Sequence, residues 1–216
     1  MAGIVTVKEK GKDIGKVVVK RPPYDLIKEK YLDLFPNNVD TGAPLDSAAS
    51  VYFAYLWVGG HAFREYKRNP SAYGNACALR ISYALNMSGM LIPSKVSVLP
   101  TTKIGGDRIL QGGNEYVIDG GKYYYIYSVE NLITFLEYAW GKADMFKYVP
   151  KRVSQLDELK KMNKKGIVIF YIDGFSDATG HATIWDGVKC LDGSTYYDPS
   201  LHPKQTLTAI KFWDLK

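Results

Sequence analysis

Cys77, His181 and Asp192 have the types and spacing of a thiol nucleophile, a general base and the carboxylate that orients it. Cys77 lies in Asn75-Ala-Cys-Ala-Leu-Arg-Ile-Ser-Tyr-Ala-Leu-Asn86. There Cys77, Ile81, Ala84 and Leu85 recur at i, i+4, i+7 and i+8, the spacing of one helical face. Asn75 is a good N-cap and Ser88-Gly89 a stop. Cys77 then falls in the first turn, where unpaired N–H groups and the helix dipole favour a thiolate. The position equally suits a small buried residue on an amphipathic helix. A nucleophile therefore needs support from elsewhere in the chain.

That support comes from a hairpin. Gly180-His-Ala-Thr-Ile-Trp-Asp-Gly187 begins as a strand with alternating sides, and Asp186-Gly187 signals a two-residue type I′ turn, which needs positive φ at both positions. Such a turn opposes Trp185 to Val188, Thr183 to Cys190 and His181 to Asp192. Directly opposed side chains share a face with Cβ atoms about 5 Å apart. A carboxylate there fixes the imidazole tautomer and stabilises the imidazolium. Asp186 is nearer to His181 in sequence but sits in the turn, and its role is read as structural. A one-residue bulge would break the register. The backbone N–H of Cys77, with a neighbouring donor, is the candidate oxyanion group. Asn75, Tyr83 and Trp185 are the candidate substrate-binding residues.

Several elements must position these groups. Ile4–Val7 and Lys16–Val19 read as a hairpin ended by Pro22-Pro23. Ile27, Tyr31 and Leu34 mark one face of a helix from Tyr24 to Phe35, and 36–45 is turn-rich. Asp46-Ser47 can cap a helix whose body, Val51–Trp57, is apolar nearly all round and so buried, stopped by Gly59-Gly60. His61 has no obvious partner and is read as structural. Glycine pairs at 105–106, 112–113 and 120–121 suggest turns, and Tyr123–Tyr127 a strand. Ser128 can cap a helix reaching Trp140, closed by Gly141, and Ser154 can cap another. Gly166–Ile172 is a buried-strand run.

With 216 residues the chain can bury a sizeable core. The 28 basic residues exceed the 22 acidic ones by six, which suits an anionic partner, but the lysines are dispersed and form no nucleic-acid-binding motif. Two cysteines exclude a disulfide framework, and the three histidines show no metal-ligand spacing, so neither metal nor cofactor is expected. No run is apolar enough to span a bilayer, and Met1–Lys8 lacks a signal-peptide core. Synthesis in the cytosol, and export by some route other than a cleaved signal, are expected.

The Asn75–Asn86 stretch resembles the cysteine motif of the family-four type VI secretion amidase effectors. Gly180–Gly187 and Lys189-Cys-Leu-Asp192 resemble their histidine and aspartate motifs. Val129-Glu-Asn-Leu, Phe135-Leu-Glu-Tyr-Ala-Trp-Gly141 and Lys165-Gly-Ile-Val support the likeness, which runs over roughly 50–198. The resemblance implies an α+β, NlpC/P60-type (papain-like) fold, with the cysteine at the start of a helix packed on an antiparallel sheet carrying His and Asp. It implies hydrolysis of the D-glutamate–meso-diaminopimelate amide of peptidoglycan stem peptides in the periplasm of competitor bacteria. Cys77 is then nucleophile, His181 base and Asp192 orienter. The implied partners are stem peptides, the type VI machinery and a cognate immunity protein; no nucleic acid and no membrane insertion are implied.

Two departures stand out. Some relatives pair the equivalent of Cys190 with a cysteine two residues after the aspartate; here that residue is Ser194, and Cys190 is expected to be a buried thiol. Residues 1–45 also form a longer N-terminal extension than in compact relatives, packed on an amidase domain of 46–216. A housekeeping or other papain-like wall amidase, and a non-catalytic wall-binding module using the tyrosines of 116–127, are the competing readings.

Overall fold

The computed structural model describes residues 3–9, 12–35, 47–93, 96–99, 102–104, 109–111, 123–175 and 178–216, with side chains for 19–35, 47–93, 123–175 and 178–216. The expectations for 36–45, for an Asp46 cap, for the glycine pairs of 105–121 and for Tyr116 lie outside these residues.

A four-stranded antiparallel sheet carries the C-terminal half, in the order β7 (Met145–Tyr148), β10 (Thr206–Asp214), β8 (Gly166–Asp173), β9 (Gly180–Trp185). The run read as buried, Gly166–Ile172, forms most of β8, and its two faces serve two cores. Ile167 and Ile169 pack towards the helices; Val168, Phe170 and Ile172 pack on the other side, with Trp185, Tyr197 and Phe212. Burial on both faces removes the polar alternation of a half-exposed strand, which explains the unbroken apolar sequence.

Over the first face lie α1 (Tyr24–Leu32), α4 (Cys77–Met87) and α5 (Val129–Trp140). Ser128 caps α5, accepting from Asn131 N–H at 3.2 Å, and Gly141 closes it at φ +81°. α2 (Ser47–Val58) and α3 (Gly60–Arg68) meet at Gly59, whose φ is +69°. Together they cover the far side of α4 in a second core with Leu79, Tyr83 and Tyr125. The single-face expectation for the Cys77 helix is thus corrected: every residue from Cys77 to Asn86 is buried. α2, expected to be buried all round, leaves Tyr52 exposed where it abuts Phe63 and Tyr66.

The buried polar side chains of α4 act as ties. Ser82 Oγ donates to Ile126 O and accepts from Ile126 N–H, both at 3.0 Å. Asn86 Nδ2 donates to Tyr124 O at 2.8 Å. These bonds fasten β6 (Tyr124–Ile126) against a helix. β6 pairs with β5 (Ile109–Gln111), the hairpin of β1 (Gly3–Glu9) and β2 (Lys12–Val19) stands as expected, and β3 (Val96–Leu99) pairs with β4 (Thr102–Ile104). The short α6 (Leu156–Lys161) buries Leu159 in the third core.

Chain ends meet at the sheet. Arg21 Nη1 donates to Asp144 Oδ2 and, at 2.9 Å, to Asp214 O; Tyr24 N–H reaches Lys216 O at 2.9 Å. Asp144 Oδ2 also accepts from Asp214 N–H at 2.7 Å. Burial alone would raise the Asp144 carboxyl, but the Arg21 bond and the Asp214 N–H hold it below its usual range. Removing one member of a buried pair strands the other charge. Asp144→Ala should therefore cost about 3–5 kcal/mol, read as a lower urea midpoint with an unchanged slope.

Candidate active site

The first residue of α4 is Cys77. Asn75 Oδ1 accepts its N–H at 3.0 Å, so Asn75 closes the helix start although the chain enters helical geometry after Ala76. The imidazole of His181, on β9, stands within hydrogen-bonding reach of the Cys77 thiol. Just before it, Gly180 faces Tyr171, and a Cβ at Gly180 would lie 2.2 Å from Phe170 O. Only glycine lets β9 approach β8 this closely beside the histidine.

Asp192 is on the other side of the imidazole, Oδ2 to His181 Nε2 at 2.7 Å. This leaves Nδ1 as the ring nitrogen for the thiol. Asp192 Oδ1 accepts from Ser194 N–H at 3.0 Å and Ser194 Oγ at 2.7 Å. Tyr31, from α1, donates to Oδ2 at 3.4 Å, and its oxygen is 3.1 Å from Thr183 Oγ1. Four donors therefore surround one buried carboxylate. Burial works to raise the Asp192 carboxyl, but the His181 charge and hydrogen bond, with the Ser194 bonds, hold it down at about 2. Burial works to lower the His181 imidazolium; the Asp192 bond and charge, and Cys77 beyond, overcome it and push the group up to about 10.

The structure brings Cys77, His181 and Asp192 together, though by another turn. Type I′ geometry is absent: of the two turn residues only Gly187 has positive φ, at +99°. The loop instead spans four residues, with Trp185 bridged to Cys190 and Leu191 N–H bonded to Ile184 O at 2.9 Å. Asp186 Oδ1 accepts from Val188 N–H at 2.8 Å and Lys189 N–H at 2.7 Å, which folds the loop. The register is thus shifted by two. Past the Cys190 bridge the chain turns at once, with Gly193 N–H bonded to Cys190 O at 3.1 Å, and Asp192 reaches His181 from that turn.

Three other expectations need correction. Tyr83 is buried in the second core and accepts from Trp57 Nε1 at 3.1 Å, because covering α4 on its far side takes that face out of the site. Trp185 is fully buried against Tyr197 in the third core. The Cys77 N–H is engaged by Asn75 and is not a free oxyanion donor. Asn75 does line the cavity beside Cys77, about 480 Å³, with Tyr127, Glu130, Phe175 and Thr179 among its walls. Cys190 is a free, buried thiol, pushed up by burial while a bond to Ser194 opposes the shift. His61 is half-exposed and meets Glu65 one helical turn on. Sequence reasoning missed Tyr31 and Ser194. The sequence marks Ser194 only by the cysteine it replaces, and the Tyr31 hydroxyl, 161 residues from Asp192, leaves no local signal.

A buried thiol, imidazole and carboxylate opening on a cavity, carried by helices packed on one antiparallel sheet, define the class of protein. Residues 73–213 match the family model of the type VI secretion system (T6SS) amidase effector protein 4, Tae4, and the chain belongs to that family. The fold is similar to the type VI effector Tae4 from Enterobacter cloacae, with TM-score 0.64 and 25% identity over 91% of this chain and 98% of that one. It is also similar to the Tae4–Tai4 effector–immunity complex from Salmonella Typhimurium, with TM-score 0.63 and 22% identity over 91% of this chain and 100% of the other. A comparison with curated protein sequences finds no match. Among the described residues no group of His, Cys, Asp and Glu could hold a metal, and no helix is long and apolar enough to cross a membrane.

The charge state of His181 is measurable. Its contribution to stability is full below the ordinary imidazole value of 6.5 and is lost as pH rises through about 10. Asp192's contribution is full above 3.8 and is lost as pH falls through about 2. Nitrogen-15 NMR of the histidine rings should show His181 protonated throughout the neutral range. Asp192→Asn should bring its titration down by more than one pH unit; an unmoved titration would refute the assigned cause.

Proposed function

We propose that this effector hydrolyses the amide between D-glutamate and meso-diaminopimelate in peptidoglycan stem peptides, within an NlpC/P60-type, papain-related fold. The observation that carries the reading is the thiol at the start of α4 facing an imidazole whose second nitrogen is held by a buried carboxylate. His181 Nδ1 already holds the proton that Cys77 gives up, so the sulfur reacts as the thiolate of a thiolate–imidazolium pair. The sulfur attacks the amide carbon, a C–S bond forms, and the carbonyl electrons move onto oxygen. Collapse of this intermediate breaks the C–N bond, and His181 gives its proton to the leaving amine. Water then attacks the thioester while His181 takes a proton from it. The C–S bond breaks, the sulfur leaves as thiolate, and the thiolate–imidazolium pair is restored.

Asp192 keeps Nε2 protonated and the ring in place, and balances the imidazolium. We assign the oxyanion donor to Asn75 Nδ2, because Asn75 lines the cavity and its Oδ1 is anchored on the Cys77 N–H. Asn75 then fills the substrate-binding part it was expected to play. Residues 1–45 are read as an extension of the amidase domain of 46–216, whose α1 lends Tyr31 to the support of Asp192.

Membership of an effector family favours export by the type VI machinery over a housekeeping hydrolase, and action in the periplasm of the recipient cell. The Salmonella and Enterobacter effectors are seen in complex with the immunity protein Tai4. By that likeness a cognate immunity protein protects the producer by covering the cavity.

Mass spectrometry of Gram-negative muropeptides incubated with the protein should show fragments split between D-glutamate and diaminopimelate, and none with Cys77→Ala. Cleavage at a different amide would overturn the specificity while keeping the thiol mechanism. Asp192→Ala should lower kcat/KM by about a hundredfold or more, the order seen when general-base function is lost. Asp186→Ala, which loosens only its own turn, should leave kcat/KM within about threefold, a margin matching about 0.6 kcal/mol.

A further inference from the structure

The Cys77 cavity is the head of a longer trench. It shares Glu130, Phe175, Ala178 and Thr179 with a depression of about 620 Å³. That depression shares Tyr171 and Thr208 with a third, of about 800 Å³. One wall is the outer face of α5, where Glu130, Thr134 and Glu137 follow at i, i+4 and i+7. From Glu130 to Gly141 this wall runs about 16 Å, at about 1.5 Å per residue. The floor is formed by β8 and β10.

At the far end, on the edge strand β7, Phe146 and Tyr148 meet at 4.9 Å and 69° and are 49% and 78% exposed. Lys211 Nζ lies 5.5 Å from the Phe146 ring centre and 5.6 Å from that of Tyr171, and donates to Glu137 Oε1 at 2.6 Å. Nothing in the cores accounts for these exposed rings, since neither belongs to a buried cluster.

We propose that this far end is a saccharide subsite, which takes the wall glycan while the attached stem peptide lies at Cys77. The proposal rests on the amidase reading given above. Length supports it. Two stem residues between the scissile amide and the sugar span about 7 Å when extended, at about 3.3–3.6 Å each. The trench is more than twice that long, so the first sugar lies midway along it and the next sugar of the glycan reaches the far end. Chemistry supports it too. Exposed Phe and Tyr rings offer apolar faces to the C–H face of a pyranose, and Tyr148 adds a polar tip. Glu137 and Lys211 neutralise each other while their remaining lone pairs and N–H groups stay able to bond hydroxyls. A neutral sugar fits that balance better than an anion.

The test compares two substrates, a free tetrapeptide and the same peptide on its disaccharide, with the wild type and with Phe146→Ala/Tyr148→Ala. These exposed side chains can be removed without opening a core, and circular dichroism checks the fold. The wild type should have the lower KM for the sugar-linked substrate. The double variant should raise that KM about tenfold, an effect on the scale of two aromatic contacts, with kcat and the free-peptide KM unchanged. A wild type indifferent to the sugar, or an equal loss on both substrates, overturns the subsite; the latter would make it a peptide site. Calorimetry on Cys77→Ala with peptide-free glycan gives a readout without hydrolysis. Binding lost in the triple variant supports the subsite even if neither substrate is cleaved, which would defeat only the amidase reading. No glycan binding by Cys77→Ala overturns it.

Discussion

The structure depends on burying one helix from every side. α4 is hidden along nearly its whole length, and its first residue, Cys77, lines an open cavity. Burial on this scale makes α4 the piece the others are shaped to cover. α1 and α5 join it to the sheet core, and α2 and α3 close its back. A helix so enclosed cannot leave its polar side chains unpaired at low cost. Arg80 donates to Ser50 O and Oγ at 3.0 and 2.7 Å and lies 4.2 Å over the Phe35 ring, while Ser82 and Asn86 take over backbone bonding for β6. The elements that protect the helix are thus also fastened by it.

The second constraint is electrostatic. A buried imidazolium and a buried carboxylate are each costly, and their mutual attraction offsets this only when the remaining lone pairs are satisfied. Asp192 meets that condition: Ser194 fills one oxygen, and His181 and Tyr31 share the other. Desolvation also bears on Arg80, which it lowers, while Tyr31, Cys77 and Asp192 act to keep it charged. The site is therefore a small set of charges balanced around the start of α4. Its support comes from α1 at one end of the chain and the β9 hairpin at the other.

Much of this was legible in the sequence because it is local. The caps at Ser128 and Gly141, the doubly buried β8 and the helix start at Asn75 each follow from a few neighbouring residues. The meeting of His181 and Asp192 was legible for a subtler reason. The predicted turn and the second strand were wrong, yet the chain after the Cys190 bridge stays beside β9, and its turn still carries Asp192 to His181. What failed was long-range. Tyr83 and Trp185 look like site residues by sequence proximity, but which side of an element faces the cavity is set by distant partners, here Trp57 and Tyr197. Tyr31 has the opposite history. It reads as an ordinary core position of α1, and only tertiary packing brings its hydroxyl to Asp192.

The resting site is prepared unequally for the two halves of its proposed chemistry. The base is fully assembled, with Asp192 saturated and the imidazole held between carboxylate and thiol. The donor side is not, because the Cys77 N–H is spent on Asn75 Oδ1. An oxyanion at that N–H would have to displace a bond already made, and such an exchange gains only the difference between the two. An oxyanion bonded to Asn75 Nδ2, as proposed, leaves that bond intact, and the bond then serves to aim the amide. Preorganisation favours the second arrangement, since a donor already in place need not reorganise as charge develops. In the proposed mechanism, the contact that engages the Cys77 N–H is thus also the one that would aim the Asn75 amide at the reacting oxygen.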